Sequence, residues 1–110
     1  MSPPHINQVA LTGRLAEAPV FSISEWGVAH LSARLAVHRS QRNQDGQWEE
    51  EDCLFRVTIQ AALAEHLAES LQKGTCVFVT GRLRSHVGPG DQEIVEVMAR
   101  NLQLLTETGA

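Results

Sequence analysis

Apolar and polar residues alternate along most of this chain, and a helical period interrupts the alternation once. Residues 6–15 (INQVALTGRL) and 18–23 (PVFSIS) read as a strand, a bend centred on Gly13 and a short continuation. A glycine inside a strand suits a bulge or a tight barrel corner, where a side chain would obstruct a neighbouring backbone. Residues 28–39 (VAHLSARLAVHR) put Leu31, Ala33, Leu35 and Val37 on one face and Ser32, Arg34, Ala36 and His38 on the other. Residues 51–60 repeat the pattern, with Cys53, Phe55, Val57 and Ile59 set against Leu54, Arg56, Thr58 and Gln60.

The segment NQDGQ between these two strands sets their register. A two-residue loop at Asp45–Gly46 would place Val37 opposite Leu54 and mix the apolar and polar faces. A three-residue loop, with Asp45 closing a type I turn and Gly46 left-handed, pairs Asn43 with Gln47 instead. Val37 then meets Cys53 and Leu35 meets Phe55. The faces agree, so the bulged hairpin is expected.

Residues 61–73 (AALAEHLAESLQK) carry Leu63, Leu67 and Leu71 at helical spacing, and Gly74 follows as a C-terminal stop. Alternation returns in residues 75–85 (TCVFVTGRLRS), which directs Val77, Val79 and Leu83 inward. A turn at Gly88-Pro89-Gly90 leads to a last strand, residues 93–105 (EIVEVMARNLQLL). Three strands, a helix and two strands make an all-β class with one helix. This is the element order of a five-stranded oligonucleotide/oligosaccharide-binding (OB) barrel, with the helix between strands 3 and 4. An open α+β sandwich is the alternative. Residues 1–110 read as a single domain, with the barrel over about 6–105 and short flexible ends.

Composition narrows the chemistry. The apolar fraction of 43% is ordinary for a folded protein that needs neither disulfides nor metals. Cys53 and Cys76 stand far apart, and the five histidines have no ligand spacing, so reduced thiols, no metal and no cofactor are expected. No nucleophile–base pair suggests catalysis, and a non-enzyme is expected. No apolar run is long enough for a membrane span, and MSPPHINQV lacks a signal-peptide pattern, so a cytoplasmic, nucleoid-associated location is expected. Net charge is −4, which argues against coating a polyanion by bulk charge. Of nine cationic residues, however, only Lys73 is a lysine. Arginine grips phosphate bidentately and stacks on bases, which suits nucleic acid.

In the bulged register Arg34 lies opposite Arg56 on the outward face of the hairpin. Like charges across a strand pair are unfavourable, so a bridging polyanion explains them, as would an acid from elsewhere in the chain. Trp48 shares that face by parity and falls opposite Arg42. It is either a stacking platform or a ring packed on the Arg42 stem. The run Glu49–Asp52 reads as a solvated flank that pairs across the hairpin with His38, Arg39 and Arg42. Trp26 and Phe55 read as packing residues.

INQVALTGRLAEAPVF, GVAHLSARLAVHRS, FRVTIQAALAEHLAESLQKGTCVFVTGRLR and IVEVMARNLQLL together resemble the bacterial single-stranded DNA-binding proteins over residues 6–105. The resemblance implies an OB-fold homo-oligomer, dimer or tetramer, that binds single-stranded DNA in DNA replication, recombination and repair. It also implies that the fourth barrel strand lines the groove, which makes Arg82 and Arg84 phosphate contacts. The nucleic-acid-binding set is thus Arg34, Arg39, Arg42, Trp48, Arg56, Arg82 and Arg84. The family's four base-stacking positions fall on Gln41, Leu54, Gln60 and the loop near Gly88, none of them aromatic. The sequence ends on LLTETGA, so the family's tail with its acidic-hydrophobic tip is expected to be absent. Weaker, phosphate-led binding is therefore expected.

A short barrel of this kind also resembles the primosomal replication protein N branch and the truncated paralogues used in DNA uptake. The rival reading is an OB barrel kept as a protein-interaction subunit of a primosome or replisome, with weakened nucleic-acid binding.

Overall fold

The computed structural model describes residues 3–105. The ending TETGA lies outside the described residues. The elements in order are β1 (Val9–Leu15), β2 (Val20–Ile23), β3 (Ala29–Arg42), β4 (Trp48–Gln60), α1 (Ala61–Leu67), β5 (Cys76–Val87) and β6 (Glu93–Leu104). A single 3-10 turn, Pro89–Asp91, links the last two strands.

The sheet runs β1-β5-β6-β4-β3, and a further β1–β3 pairing closes it into a five-stranded barrel. Closure rules out the open sandwich. The β4–β6 pairing is parallel and the rest are antiparallel. The continuation expected after Gly13 is a separate strand, β2, which pairs with β3.

Gly13 is the corner, because β1 there leaves β5 for β3. A Cβ at Gly13 would lie 2.4 Å from the Ala36 carbonyl oxygen, which explains the glycine.

The β3–β4 hairpin has the register that its turn chemistry dictates. Leu35 meets Phe55, Val37 meets Cys53 and Arg34 meets Arg56. Asn43 N–H donates to the Gln47 carbonyl at 2.8 Å, and Gly46 takes φ +77°. Asn43 Oδ1 also accepts from the Asp45 and Gln47 amides, both at 2.9 Å, so the turn is held from inside.

Inward-facing Leu31, Leu35, Val57, Ile59, Val77, Val79 and Val97 fill the barrel, and α1 seals one end with Ala64 and Leu67. The helix is shorter than its leucine spacing suggests. Ser70 and Leu71 amides both turn back to the Leu67 carbonyl, at 3.0 and 3.2 Å, and this tightened turn still buries Leu71. Gly74 then takes φ +87° and donates to the Leu15 carbonyl, tying the helix exit to β1.

Two packing expectations fail. Leu83, expected inside, is 47% exposed, because β1 pairs with β5 only as far as Gly81 and β5 runs on beyond it. Trp26, expected to pack, is 84% exposed in its turn. Phe55 sits between these cases at 38%, at the barrel's rim.

Candidate nucleic-acid interface

Strand parity gives the barrel a single outer face across β3, β4, β6 and β5. Arg34 pairs with Arg56, Val57 pairs with Val97 and Arg84 pairs with Glu96. These registers set Arg34, Arg56, Glu96 and Arg84 on one level, running across four strands. The next level holds Ser32, Thr58, Met98 and Arg82. Side chains far apart in sequence thus share one surface.

The expected like-charge pair has an acid in it. Arg34 Nε donates to Glu17 Oε1 at 2.7 Å, and both side chains are about half exposed. Glu17 comes from the loop after the β1 corner, so strand parity alone could not place it. An exposed pair of this kind contributes about 0–1 kcal/mol. Arg34 therefore does not need a bound polyanion to offset Arg56.

Arg84 is partnered as well. Its Nε lies 3.7 Å from Glu96 Oε1, and Glu96 is only 7% exposed. Thr58 Oγ1 donates to Glu96 Oε2 at 3.2 Å, and His86 Nδ1 lies 3.8 Å from Oε1. The carboxylate is thus held within the face and partly neutralises it.

The hairpin arm divides the remaining candidates. Arg39 has odd parity and lies on the opposite face from Arg34 and Arg56, with its Nε 3.1 Å from Glu51 Oε1. It leaves the proposed surface for that reason. His38 meets Asp52 at 3.1 Å and Glu50 at 3.8 Å, the cross-hairpin pairing expected of the acidic run.

Arg42 makes no such pair and lies over the Trp48 ring, 5.3 Å from its centroid. Trp48 has the right parity, but eight residues separate it from Arg56. At about 3.4 Å per residue the two are some 27 Å apart along β4. Trp48 and Arg42 are a separate station at the tip.

Among the described residues, Arg56, Arg82 and Arg100 take part in no ion pair and no side-chain hydrogen bond. Arg100 is absent from the set expected from sequence. Its signal is a lone arginine in the otherwise mainly apolar MARNLQLL, which periodicity alone does not assign to a face.

The profile of the single-strand binding protein family matches residues 6–105. Single-stranded DNA-binding protein 2 of Chlorobaculum tepidum is 31% identical over 109 residues, covering 94% of this chain and 74% of its own. The single-stranded DNA-binding protein of Aquifex aeolicus is 31% identical, over 91% and 70%. A crystal structure of a deletion mutant of the Thermus aquaticus single-stranded DNA-binding protein superimposes with a TM-score of 0.87 at 31% identity. It is matched over 94% of this chain, which spans only 52% of the Thermus chain. A Plasmodium falciparum protein solved with single-stranded DNA shares the fold, with a TM-score of 0.83 at 22% identity.

Proposed function

This chain belongs to the single-strand binding protein family, and from that premise we propose that it binds single-stranded DNA during replication, recombination or repair. Binding is led by phosphate contacts, with limited base stacking at the hairpin tip. The observation that carries this reading is the pair of guanidiniums, Arg56 and Arg82, without a partner among the described residues, on the outer face of a closed OB barrel. Phosphate supplies the anion that Glu17 and Glu96 supply to their neighbours. The protein acts by binding, without a reaction of its own, and works in the cytoplasm on nucleoid DNA. Competition at fixed salt tests this: labelled oligo-dT should be displaced by poly-dT and much less by duplex DNA. Equal displacement by both would overturn selectivity for single strands.

The assembly is a homo-oligomer, dimer or tetramer. Support comes from β1, whose Val9–Gly13 stretch pairs on one side only, with β5, and from Phe55 at the rim. Light scattering at tens of micromolar, a concentration matched to micromolar association, should give a multiple of 12.1 kDa. A strict monomer would contradict it.

A second reading, a protein-interaction subunit of a primosome or replisome, is favoured by one observation. Val20, Ile23 and Trp26 are all exposed along β2 and its turn. No displaceable oligo-dT binding would leave that reading in place of the first.

A further inference from the structure

We propose that Arg100 and Arg82 together form a phosphodiester-binding centre at the β5–β6 bulge, so that the strand crosses the barrel at the Gln60 end of β4. This rests on the single-strand-binding reading and assigns it a site. Thr80 pairs with Asn101 and Gly81 pairs with Ala99, which leaves Arg100 without a partner across the ladder. An extra residue of this kind bends its strand and re-aims its side chain.

The bulge opens space on both sides of Arg100. A cavity of about 320 Å³ is lined by Gln60, Arg82, Met98, Ala99 and Arg100. A second, of about 530 Å³, runs from Arg100 past Thr80 and Gly81 to Gln8, Val9 and Ala10. The wall formed by residues 7–10 is fixed in place: Asn7 Nδ2 donates to the Leu83 carbonyl, and the Leu83 amide donates to Asn7 Oδ1, both at 2.8 Å. The two cavities meet at Arg100.

Charge gives the site its ligand. Arg82 and Arg100 line one cavity, and neither has a partner among the described residues. No carboxylate lines either cavity. Glu96, the buried acid of this face, is already held by Thr58 and Arg84. Two planar guanidinium forks facing one space fit a doubly hydrogen-bonded phosphate. Gln60 adds an amide that can donate and accept, and Met98 offers a soft apolar floor for a sugar or base. The acidic run Glu49–Asp52 lies at the other end of β4, so a phosphate held at this centre is clear of it.

The test compares wild type, Arg100→Gln and Arg82→Gln for oligo-dT affinity across a salt series, with inorganic phosphate as a second arm. Each variant should bind about tenfold more weakly, as expected for one lost charged hydrogen-bonding group. Each should also make the log–log salt slope shallower by about 0.7. Melting temperature should hold or rise, since a like charge is removed. Wild-type binding with unchanged affinity and slope in Arg100→Gln overturns this inference and leaves the functional reading standing. If wild type ignores oligo-dT, the functional reading fails and this assignment with it. Arg100-dependent binding of inorganic phosphate would then mark a site for small anions only.

Discussion

Replacing Gly81 with alanine should destabilise the protein by about 2–4 kcal/mol, near the upper range for a single overpacking substitution. A Cβ there would stand 2.0 Å from the Met98 carbonyl oxygen and 3.1 Å from the Ala99 Cα. Both are backbone atoms of β6, so relief requires the β5–β6 ladder to separate where the bulge is formed. For a domain of this size each kcal/mol moves the melting temperature by about 4–8 °C, so a fall of roughly 8–32 °C is expected. Gly46→Ala is the control. Gly46 has φ +77° but nothing within 4 Å of the added atom, so only the left-handed strain applies, about 1 kcal/mol. Similar melting temperatures for the two variants would mean that the close approach at Gly81 is relieved at little cost.

Trp48→Ala should weaken oligo-dT binding by about 1–3 kcal/mol, roughly 5- to 150-fold, if the ring stacks on a base. The fold should survive. Trp48 is 65% exposed, and its contact with Arg42 is an exposed cation–π pair worth about 0.5–1 kcal/mol. Fluorescence distinguishes the two tryptophans, because Trp26 stands in the turn after β2 and Trp48 at the hairpin tip. Quenching by oligo-dT should persist in Trp26→Ala and largely vanish in Trp48→Ala. Wild-type affinity in Trp48→Ala would reduce the ring to a cover for the Arg42 stem.

Local rules make much of this architecture legible. Asn43, Asp45 and Gly46 specify a turn, the turn specifies register, and register alone sets Arg34 against Arg56. The barrel order follows because one leucine-spaced helix stands between runs of alternating strands. The rest depends on long-range pairing. Glu17 reaches Arg34 only because β1 turns its corner at Gly13. Glu96 stands level with Arg56 only because β4 and β6 run parallel, a pairing between strands distant in sequence. The Arg100 bulge is likewise a property of β5 and β6 together, and its one local signal is Gly81, a glycine inside a strand. Leu83 and Trp26 fail for another reason: alternation says which way a side chain points and not whether anything covers it.

On the proposed function, phosphate contacts on the β3–β4–β6–β5 face hold the single strand. The salt dependence of oligo-dT affinity separates such contacts from stacking. With about 0.7 in log–log slope for each phosphate contact, the three unpartnered arginines Arg56, Arg82 and Arg100 predict a slope near −2 or steeper. Affinity should then fall about 20-fold between roughly 50 and 200 mM salt. Tight binding with a slope near zero would exclude phosphate-led binding, because the affinity would then have to come from stacking or base contacts rather than from these arginines.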